Sequence, residues 1–281
     1  MCWGQRKPDF IAPLQYVGGM IRLSANLSTM FTELEFLDRF GAAAAAGFQA
    51  VECQFPYDFT PGEVAARIRE ACVECVLINA PPGASGERGI ASLPGREREF
   101  DASIETAARY AAACGAKRVH VMAGLLPAGA DRARHLDTYV ASIRRAADRL
   151  GAEGISVMIE PINTRVDVPG YLLDSTALAL ECMERAGRDN IRLQYDAYHM
   201  QIMEGDLMRS VARLLPFIGH IQIADNPGRH EPGTGEIAFE RLLPHIDALG
   251  YGGYIGCEYT PAAGTVAGLG WARQWLAPAT A

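Results

Sequence analysis

The chain has 281 residues, a formal net charge of −7 and 49% hydrophobic residues. This length suits one large α/β domain with a substantial core, and the acidic balance gives no electrostatic reason to expect a nucleic-acid partner. Because no apolar run reaches about 18 residues, the sequence also predicts no membrane span.

The first 19 residues differ in character from the rest of the chain. They hold Arg6 and Lys7 near the start but lack the continuous apolar core of a signal peptide. A second methionine, Met20, directly precedes the first convincing strand. We therefore predict that residues 1–19 are a disordered arm or an extension upstream of the true start, and that residues 20–281 form the catalytic domain.

From residue 20 onward, short β-rich runs alternate with longer Ala-rich stretches of helical character. The predicted strands are 21–26, 50–54, 75–80, 118–123, 156–160, 191–196, 220–224 and 254–258. The predicted helices lie near 33–47, 62–73, 98–115, 131–151, 174–187, 204–215, 236–248 and 264–276. Such alternation implies parallel strands joined by crossovers. The strand count favours a single-domain (β/α)8 TIM barrel over the alternative, a doubly wound open sheet.

The cysteines are scattered along the chain, at positions 2, 53, 72, 75, 114, 182 and 257. Cys72 and Cys75 form a CxxC pair, but no second pair accompanies them, as a zinc site of this kind would require. An odd, dispersed set does not resemble a disulfide framework. We interpret these residues as packing cysteines and expect a cytoplasmic protein.

Two predicted loops are longer and more polar than simple connections need. Residues 81–99 follow the third predicted strand, and residues 224–236 follow the seventh. Both lie on the carboxyl-terminal side of their strands, where barrel enzymes carry their active sites. Arg88 and Arg96 in the first loop, with Arg229 in the second, could bind a substrate carboxylate through bidentate hydrogen bonds. Together they favour an acidic substrate.

Four successive apolar runs of the sequence close with polar side chains, which are Glu160, Asp196, Gln222 and Glu258. Each gap between them is about the length of one βα unit, roughly 30 residues. Side chains at the carboxyl ends of neighbouring parallel strands converge on one point. Three carboxylates and an amide gathered there would repel one another without a cation between them. The sequence therefore predicts a divalent metal site, and its oxygen ligands suit Mg²⁺ or Mn²⁺.

Glu160 and Glu258 are also the predicted catalytic pair. Two carboxylates flanking a small hydroxy-carbonyl compound could remove a proton from carbon and support its return, while a bound metal polarises the carbonyl and stabilises the enolate. His199, at the start of the loop after the sixth strand, is predicted to contact a substrate oxygen or act as a further acid or base. The other histidines, including His120 and His220 inside strands, are interpreted as structural.

Several motifs resemble those of hydroxypyruvate isomerases. They are residues 86–91 (GERGIA), 160–163 (EPIN), 194–201 (QYDAYHMQ), 220–227 (HIQIADNP), 231–236 (EPGTGE) and 256–259 (GCEY). The similarity extends from residue 20 to about residue 275, and the wider group is the xylose isomerase-like barrels, which includes ketose 3-epimerases.

The resemblance implies roles for individual residues. In that family the glutamates matching Glu160 and Glu258 transfer the proton, and those positions together with Asp196 and Gln222 hold the divalent metal. Ketose 3-epimerases usually carry histidine where this chain has Gln222, which argues against a sugar epimerase. The histidine matching His199 contacts substrate in the epimerases, and Arg88 and its loop are our candidate for binding the substrate carboxylate and excluding water.

The implied reaction interconverts hydroxypyruvate and tartronate semialdehyde through a metal-stabilised enediolate. The nearest alternative is the same chemistry on a four-carbon acid, 2-dehydrotetronate (2-oxo-tetronate), followed by a metal-dependent dehydratase or epimerase. A nuclease of the endonuclease IV type would need more histidine ligands and a basic surface, and a non-catalytic barrel should have lost one of the two glutamates. We predict a small hydroxy-keto acid as the partner and leave the subunit number open, a homo-oligomer included.

Overall fold

Eight short parallel strands close into a barrel in the computed structural model, which describes residues 21–277. The strands are β1 (Arg22–Asn26), β2 (Ala50–Cys53), β3 (Glu74–Asn79), β4 (Arg118–His120), β5 (Ser156–Ile159), β6 (Ile191–Asp196), β7 (Ile218–Ile223) and β8 (Tyr254–Cys257). Each strand pairs with its neighbour in the chain, and β1 pairs with β8. This confirms the single-domain (β/α)8 barrel. The predicted extension, residues 1–19, lies outside the described residues.

Helices connect the strands and form the outer layer. They are α1 (Arg39–Ala45), α2 (Pro61–Ala71), α3 (Glu97–Cys114), α4 (Arg132–Gly151), α5 (Thr176–Ala186), α6 (Ala197–Met203), α7 (Leu207–Leu214) and α8 (Phe239–Ala248). Two 3-10 helices, Phe36–Asp38 and Ala267–Ala272, complete the described set. Within residues 21–277 no helix is long and apolar enough to cross a membrane.

Helix boundaries follow local sequence chemistry. Helix α2 begins with a capping box, in which the Thr60 hydroxyl accepts from the Glu63 backbone N–H and the Glu63 carboxylate accepts from the Thr60 N–H. Pro61 occupies its first turn, where its missing N–H costs nothing. At the end of α3, Gly115 takes the left-handed conformation with φ 76°. These signals explain why most predicted helices are found within a few residues of their expected bounds.

Three predicted segments differ from the structure. The fourth strand ends at His120 instead of residue 123, because the backbone of Ala123 bonds to Ser92 and to the Tyr171 hydroxyl and not to a neighbouring strand. Residues 197–203, assigned to a loop, form α6. The expected last helix over 264–276 is reduced to the 3-10 helix Ala267–Ala272.

The interior of the barrel is polar towards the carboxyl ends of its strands. In β7, His220 and Gln222 alternate with the buried residues Ile221 and Ile223, as the two-residue period of a strand requires. Both polar side chains hydrogen-bond to Glu52 on β2, across the barrel from β7. The apolar partners pack in the layer between strands and helices. The barrel therefore presents one closed ring of strand ends around a buried polar centre.

Candidate active site

The four strand-end residues singled out from the sequence all lie buried at the carboxyl-terminal face. Glu160 and Glu258 follow β5 and β8 directly, Asp196 ends β6, and Gln222 lies in β7. Asp196 and Gln222 are paired residues across the β6–β7 register. Arg229 Nη2 lies 3.0 Å from Glu258 Oε2 and 3.8 Å from Asp196 Oδ2, and so links two of the carboxylates.

Two carboxylate oxygens at this centre have no hydrogen-bond partner among the described residues, Glu160 Oε1 and Asp196 Oδ2. The other Asp196 oxygen, Oδ1, accepts from the Tyr198 backbone N–H at 2.9 Å and thereby caps α6. Buried carboxylate oxygens without donors are costly unless a cation or a ligand faces them. The residues present therefore fit a hard divalent cation.

The electrostatics of the three carboxylates agree with this fit. Burial raises the pKa of Asp196 to about 7, against the opposing charge of Arg229 and with repulsion from Glu258. Burial also raises the pKa of Glu160 well above its usual range, and repulsion from Glu258 and Asp196 adds to the effect. Burial raises the pKa of Glu258 as well, against the charge of Arg229. Closely spaced buried carboxylates of this kind are typical of metal and acid–base sites.

Gln222 is held by hydrogen bonds at both ends of its amide. Its Nε2 donates to Glu52 Oε1 at 2.7 Å, and its Oε1 accepts from Gln194 Nε2 at 2.6 Å. Glu52 also accepts a hydrogen bond from His220 Nε2 at 2.8 Å. Burial raises the pKa of Glu52, but the charge of His220 and this hydrogen bond outweigh burial and lower the pKa. The absence of a side chain at Gly256 makes space for the Glu52 carboxylate, since a Cβ at this position would lie 2.4 Å from Glu52 Oε2.

Sequence reasoning missed Glu52. A charged residue inside the apolar run of β2 was the signal that could have found it, because such a residue is buried only with partners. It also explains His220: the histidine interpreted as structural is the partner of this buried carboxylate.

Glu258 is the most heavily bonded of the three carboxylates. Its Oε1 accepts from Asn26 Nδ2 at 3.1 Å and from Gln54 Nε2 at 2.6 Å, while its Oε2 faces Arg229. Arg229 also pairs with Asp167 at 3.1 Å. Arg229 therefore lies at the site, as expected, but its guanidinium is engaged by the protein's own carboxylates.

The other two candidate arginines are placed differently from each other. Arg96 forms ion pairs with Glu87 and Glu99, so its guanidinium is already engaged by carboxylates of the protein. Arg88 is exposed, lines a cavity of about 70 Å³ over the site and has no hydrogen bond or ion pair within the described residues. Of the three, Arg88 is the cation available to a substrate carboxylate.

His120 also lines this cavity, which the structural interpretation of this residue did not anticipate. Its Nδ1 lies 3.5 Å from Glu160 Oε2, and neither ring nitrogen has a hydrogen-bond partner in the described part of the chain. Burial, with repulsion from His220, lowers its pKa to about 3. The feature of the sequence that could have indicated a place at the site was the position of His120 at the end of β4, on the strand next to the one that Glu160 follows. Asn79 and Gln54 are further lining residues that the sequence did not single out.

His199 lies beside the carboxylates. It is 2% exposed, and its Nε2 lies 3.6 Å from Asp196 Oδ2 and 3.9 Å from Glu160 Oε1. Burial, with the nearby charge of Arg229, lowers its pKa well below the usual range. Ligand atoms of His199, Glu160 and Asp196 lie within 4.8 Å of one another.

Known proteins resemble this chain over nearly its whole length. Residues 40–275 match the family described as "Xylose isomerase-like TIM barrel". The chain is 50% identical over 259 residues to "2-oxo-tetronate isomerase" of Cupriavidus necator, covering 92% of this chain and 99% of that protein. It is 46% identical over 254 residues to "Hydroxypyruvate isomerase" of Escherichia coli, covering 90% and 98% respectively.

Solved structures agree on the fold. The crystal structure of "AP endonuclease, family 2 from Brucella melitensis" superposes with a TM-score of 0.89 at 42% identity, covering 92% of this chain and 100% of that one. "3-keto-D-glucoside 4-epimerase, YcjR, from E. coli" superposes with a TM-score of 0.71 at 23% identity, covering 91% and 100%. At that lower identity the likeness concerns the barrel alone.

Proposed function

This chain belongs to the xylose isomerase-like TIM barrel family and is an isomerase, and from that premise we propose that it interconverts hydroxypyruvate and tartronate semialdehyde. The observation that carries the proposal is the pair of buried carboxylates, Glu160 and Glu258, beside a small cavity lined by Arg88. A cavity of about 70 Å³ suits a very small acid better than a sugar, since sites for larger ligands run to roughly 300 Å³ or more.

We further propose that a divalent cation, Mg²⁺ or Mn²⁺, is held by the oxygens of Glu160, Asp196, Gln222 and Glu258. The two partnerless oxygens of Glu160 and Asp196 support this choice. When bound, such a cation polarises the substrate carbonyl and makes the adjacent C–H bond easier to ionise. Glu52 and Gln194 keep the Gln222 amide oriented for its part in the site.

The two glutamates transfer the proton. One removes a proton from C3 of hydroxypyruvate, which leaves an enediolate, and the other delivers a proton to C2. The proton lost by the C3 hydroxyl ends on the C2 oxygen, so the product is an isomer of the substrate. Arg229, 3.0 Å from Glu258, opposes the effect of burial on that carboxylate and favours its ionised form. The first step requires a carboxylate in its ionised form.

Arg88 is assigned to the substrate carboxylate. It is the one of the three candidate arginines that lines the cavity without engaging a carboxylate of the described residues. Substrate bound to Arg88 would fill the cavity beneath the loop and limit the access of water, which would otherwise protonate the enediolate unproductively.

A second candidate substrate is 2-oxo-tetronate, with the same residues in the same roles. The observation in its favour is the 50% identity to the Cupriavidus necator protein of that name. The sugar epimerases share only the fold with this chain, so their activity is not extended to it. The cytoplasmic location also belongs among our proposals, in line with the six described cysteines, which are all free thiols.

The test is turnover of both acids by metal-stripped protein with and without added Mn²⁺. We expect Mn²⁺ to restore activity and kcat/KM for hydroxypyruvate to exceed that for 2-oxo-tetronate by roughly tenfold or more. The variants E160Q and E258Q should lose at least about 100-fold in kcat. The matched control E184Q alters an exposed glutamate of α5 and should behave as wild type.

A preference for 2-oxo-tetronate would move the enzyme to the second candidate with its mechanism intact. Failure to convert either acid with Mn²⁺ present would overturn the proposed function.

A further inference from the structure

Asn163 is fully buried, four residues beyond the end of β5, and connects the loop that follows it to His199. Its Oδ1 accepts from the backbone N–H of Val166 at 3.1 Å and of Asp167 at 2.9 Å. A backbone N–H is only a donor, so the amide oxygen of Asn163 must face the loop. The orientation of the amide is therefore fixed by its partners, and its NH₂ group faces His199.

The NH₂ group of Asn163 determines where the imidazole of His199 carries its proton. Asn163 Nδ2 lies 2.7 Å from His199 Nδ1. Because an amide NH₂ can only donate, Nδ1 must be the acceptor, and the single ring proton lies on Nε2. A ring protonated on both nitrogens is excluded for the same reason, because its Nδ1–H would face the Asn163 NH₂ group, and two donors cannot form a hydrogen bond. The Asp167 carboxylate, 3.9 Å from Nδ1, is too distant to reverse the assignment.

The protonated nitrogen points at the reacting centre. Nε2 of His199 lies 3.6 Å from Asp196 Oδ2 and 3.9 Å from Glu160 Oε1. Among the buried side chains of residues 21–277, these are the two carboxylate oxygens without a hydrogen-bond partner. The N–H of this buried, oriented ring is thus directed at the centre formed by these carboxylates, and His199 also lines the cavity proposed for the substrate.

We propose that Asn163 is a positioning residue that fixes His199 in its Nε2–H tautomer, so that His199 donates a hydrogen bond to a substrate oxygen and does not ligate the metal. The inference rests on the proposed function for the identity of that oxygen. A donor aimed at an oxygen that gains charge as the C3 proton leaves stabilises the transition state more than the ground state.

The same tautomer decides between two ligand sets. By distance alone, Glu160, Asp196 and His199 could form a three-ligand metal site. A ring nitrogen that carries a proton has no lone pair for a metal, and the lone pair of Nδ1 is used by Asn163. The metal shell is therefore restricted to oxygen, which favours Mg²⁺ and Mn²⁺ over Zn²⁺.

The direct test is ¹⁵N NMR of the metal-free protein with labelled histidine rings, the His199 signals being assigned by their loss in H199A. We expect Nδ1 of His199 to give the signal of an unprotonated nitrogen and Nε2 that of a protonated one. In N163D the carboxylate still accepts from both loop N–H groups but also accepts from the ring, so the proton should move to Nδ1. Wild-type protein with protonated Nδ1, or an N163D spectrum like that of wild type, would overturn the inference.

V166D is the matched control for the added charge. Val166 is 63% exposed, and its side chain takes no part in these hydrogen bonds. This variant should keep the wild-type ring pattern. A reversed pattern in V166D would mean that charge, and not the partner of Nδ1, sets the tautomer.

Metal affinity provides a second readout. H199A should bind Mn²⁺ within about threefold of wild type, because no ligand is removed, while N163D should gain on the order of tenfold in affinity for Zn²⁺ relative to Mn²⁺ through the freed lone pair on Nε2. Loss of Mn²⁺ affinity in H199A by about 100-fold would make His199 a ligand and refute the proposal.

Turnover separates this inference from the proposed function. N163D should lower kcat by on the order of 100-fold with little change in KM, since the lost interaction acts on the transition state. If wild-type protein converted neither acid, the proposed function would fail, while the ring spectrum would still decide the tautomer. If wild type were active and N163D equally active despite a reversed spectrum, the role of the tautomer would be refuted.

Discussion

Asp196 performs two tasks with one side chain. Its Oδ1 caps α6 by accepting from the Tyr198 N–H, and its Oδ2 is left towards Glu160 and His199. Burial raises its pKa to about 7, although the charge of Arg229 opposes the shift. Near neutral pH the site therefore holds protons that the proposed divalent cation would have to displace.

The affinity for Mn²⁺ should accordingly depend on pH. The carboxyl of Asp196 is largely protonated below its raised pKa of about 7 and ionised above it, and only the ionised form binds the cation. The apparent affinity should rise from about pH 6 to about pH 8, with more protons released on binding at the lower pH. Calorimetry in buffers of different ionisation enthalpy measures both the affinity for Mn²⁺ and the number of protons released. Equal affinity and no proton release at the lower pH would show that these carboxylates are already ionised without metal.

Some residues of the candidate site could be identified from the sequence, and others could not. Glu160, Asp196, Gln222 and Glu258 could be found because each lies at or within two residues of the end of a predicted strand, and strand ends converge in a parallel barrel. The roles of Asn163, Glu52 and His120 could not be read in this way. Their partners are on other strands or loops, and nothing in their local patterns indicates the distances of 2.7 to 3.5 Å that define them.

The loop after β3 is the element that places Arg88 at the cavity. Its conformation depends on Gly89, which has φ +104° and where a Cβ would lie 2.4 Å from the Met122 carbonyl oxygen. The Glu87–Arg96 ion pair holds the loop further along. These contacts keep Arg88 at the edge of the cavity while leaving its guanidinium exposed.

Removing the charge of Arg88 should therefore weaken substrate binding more than chemistry. We expect R88Q to raise KM for the acid by roughly tenfold or more with a smaller change in kcat, because its bond to the carboxylate is made in both ground and transition states. R98Q is the matched control, since Arg98 is an exposed arginine of α3 outside the cavity. If the two variants had the same steady-state kinetics, Arg88 would have no role in binding the substrate carboxylate.

At the level of elements, alternation and turn signals predicted the strands and most helices. The segments that differed have tertiary causes. The fourth strand stops early because Ala123 bonds to a loop residue and a tyrosine hydroxyl. Helix α6 was missed because its cap, Asp196, had been assigned to the site alone, whereas the side chain serves both purposes.

The closed barrel is what converts distant sequence positions into one centre. Glu52 on β2 bonds to His220 and Gln222 on β7, residues separated by 168 and 170 positions in the chain. An open sheet would leave such strands apart, while closure brings them across a shared interior. The count of strands predicted this closure, but the network inside it depends on side-chain geometry that only the folded molecule supplies.

The central claim is that one glutamate of this barrel removes a proton from C3 of the substrate and the other delivers a proton to C2. It is tested most directly by converting hydroxypyruvate with the Mn²⁺-loaded enzyme in D₂O and locating the isotope in the tartronate semialdehyde formed. One carboxylate takes the C3 proton, and a second, equilibrated with solvent, supplies C2. The account predicts deuterium at C2 of nearly every product molecule. Retention of the original C3 hydrogen at C2 would contradict the account. The same hydrogen would then have moved from C3 to C2, and no second glutamate would have supplied a proton from solvent.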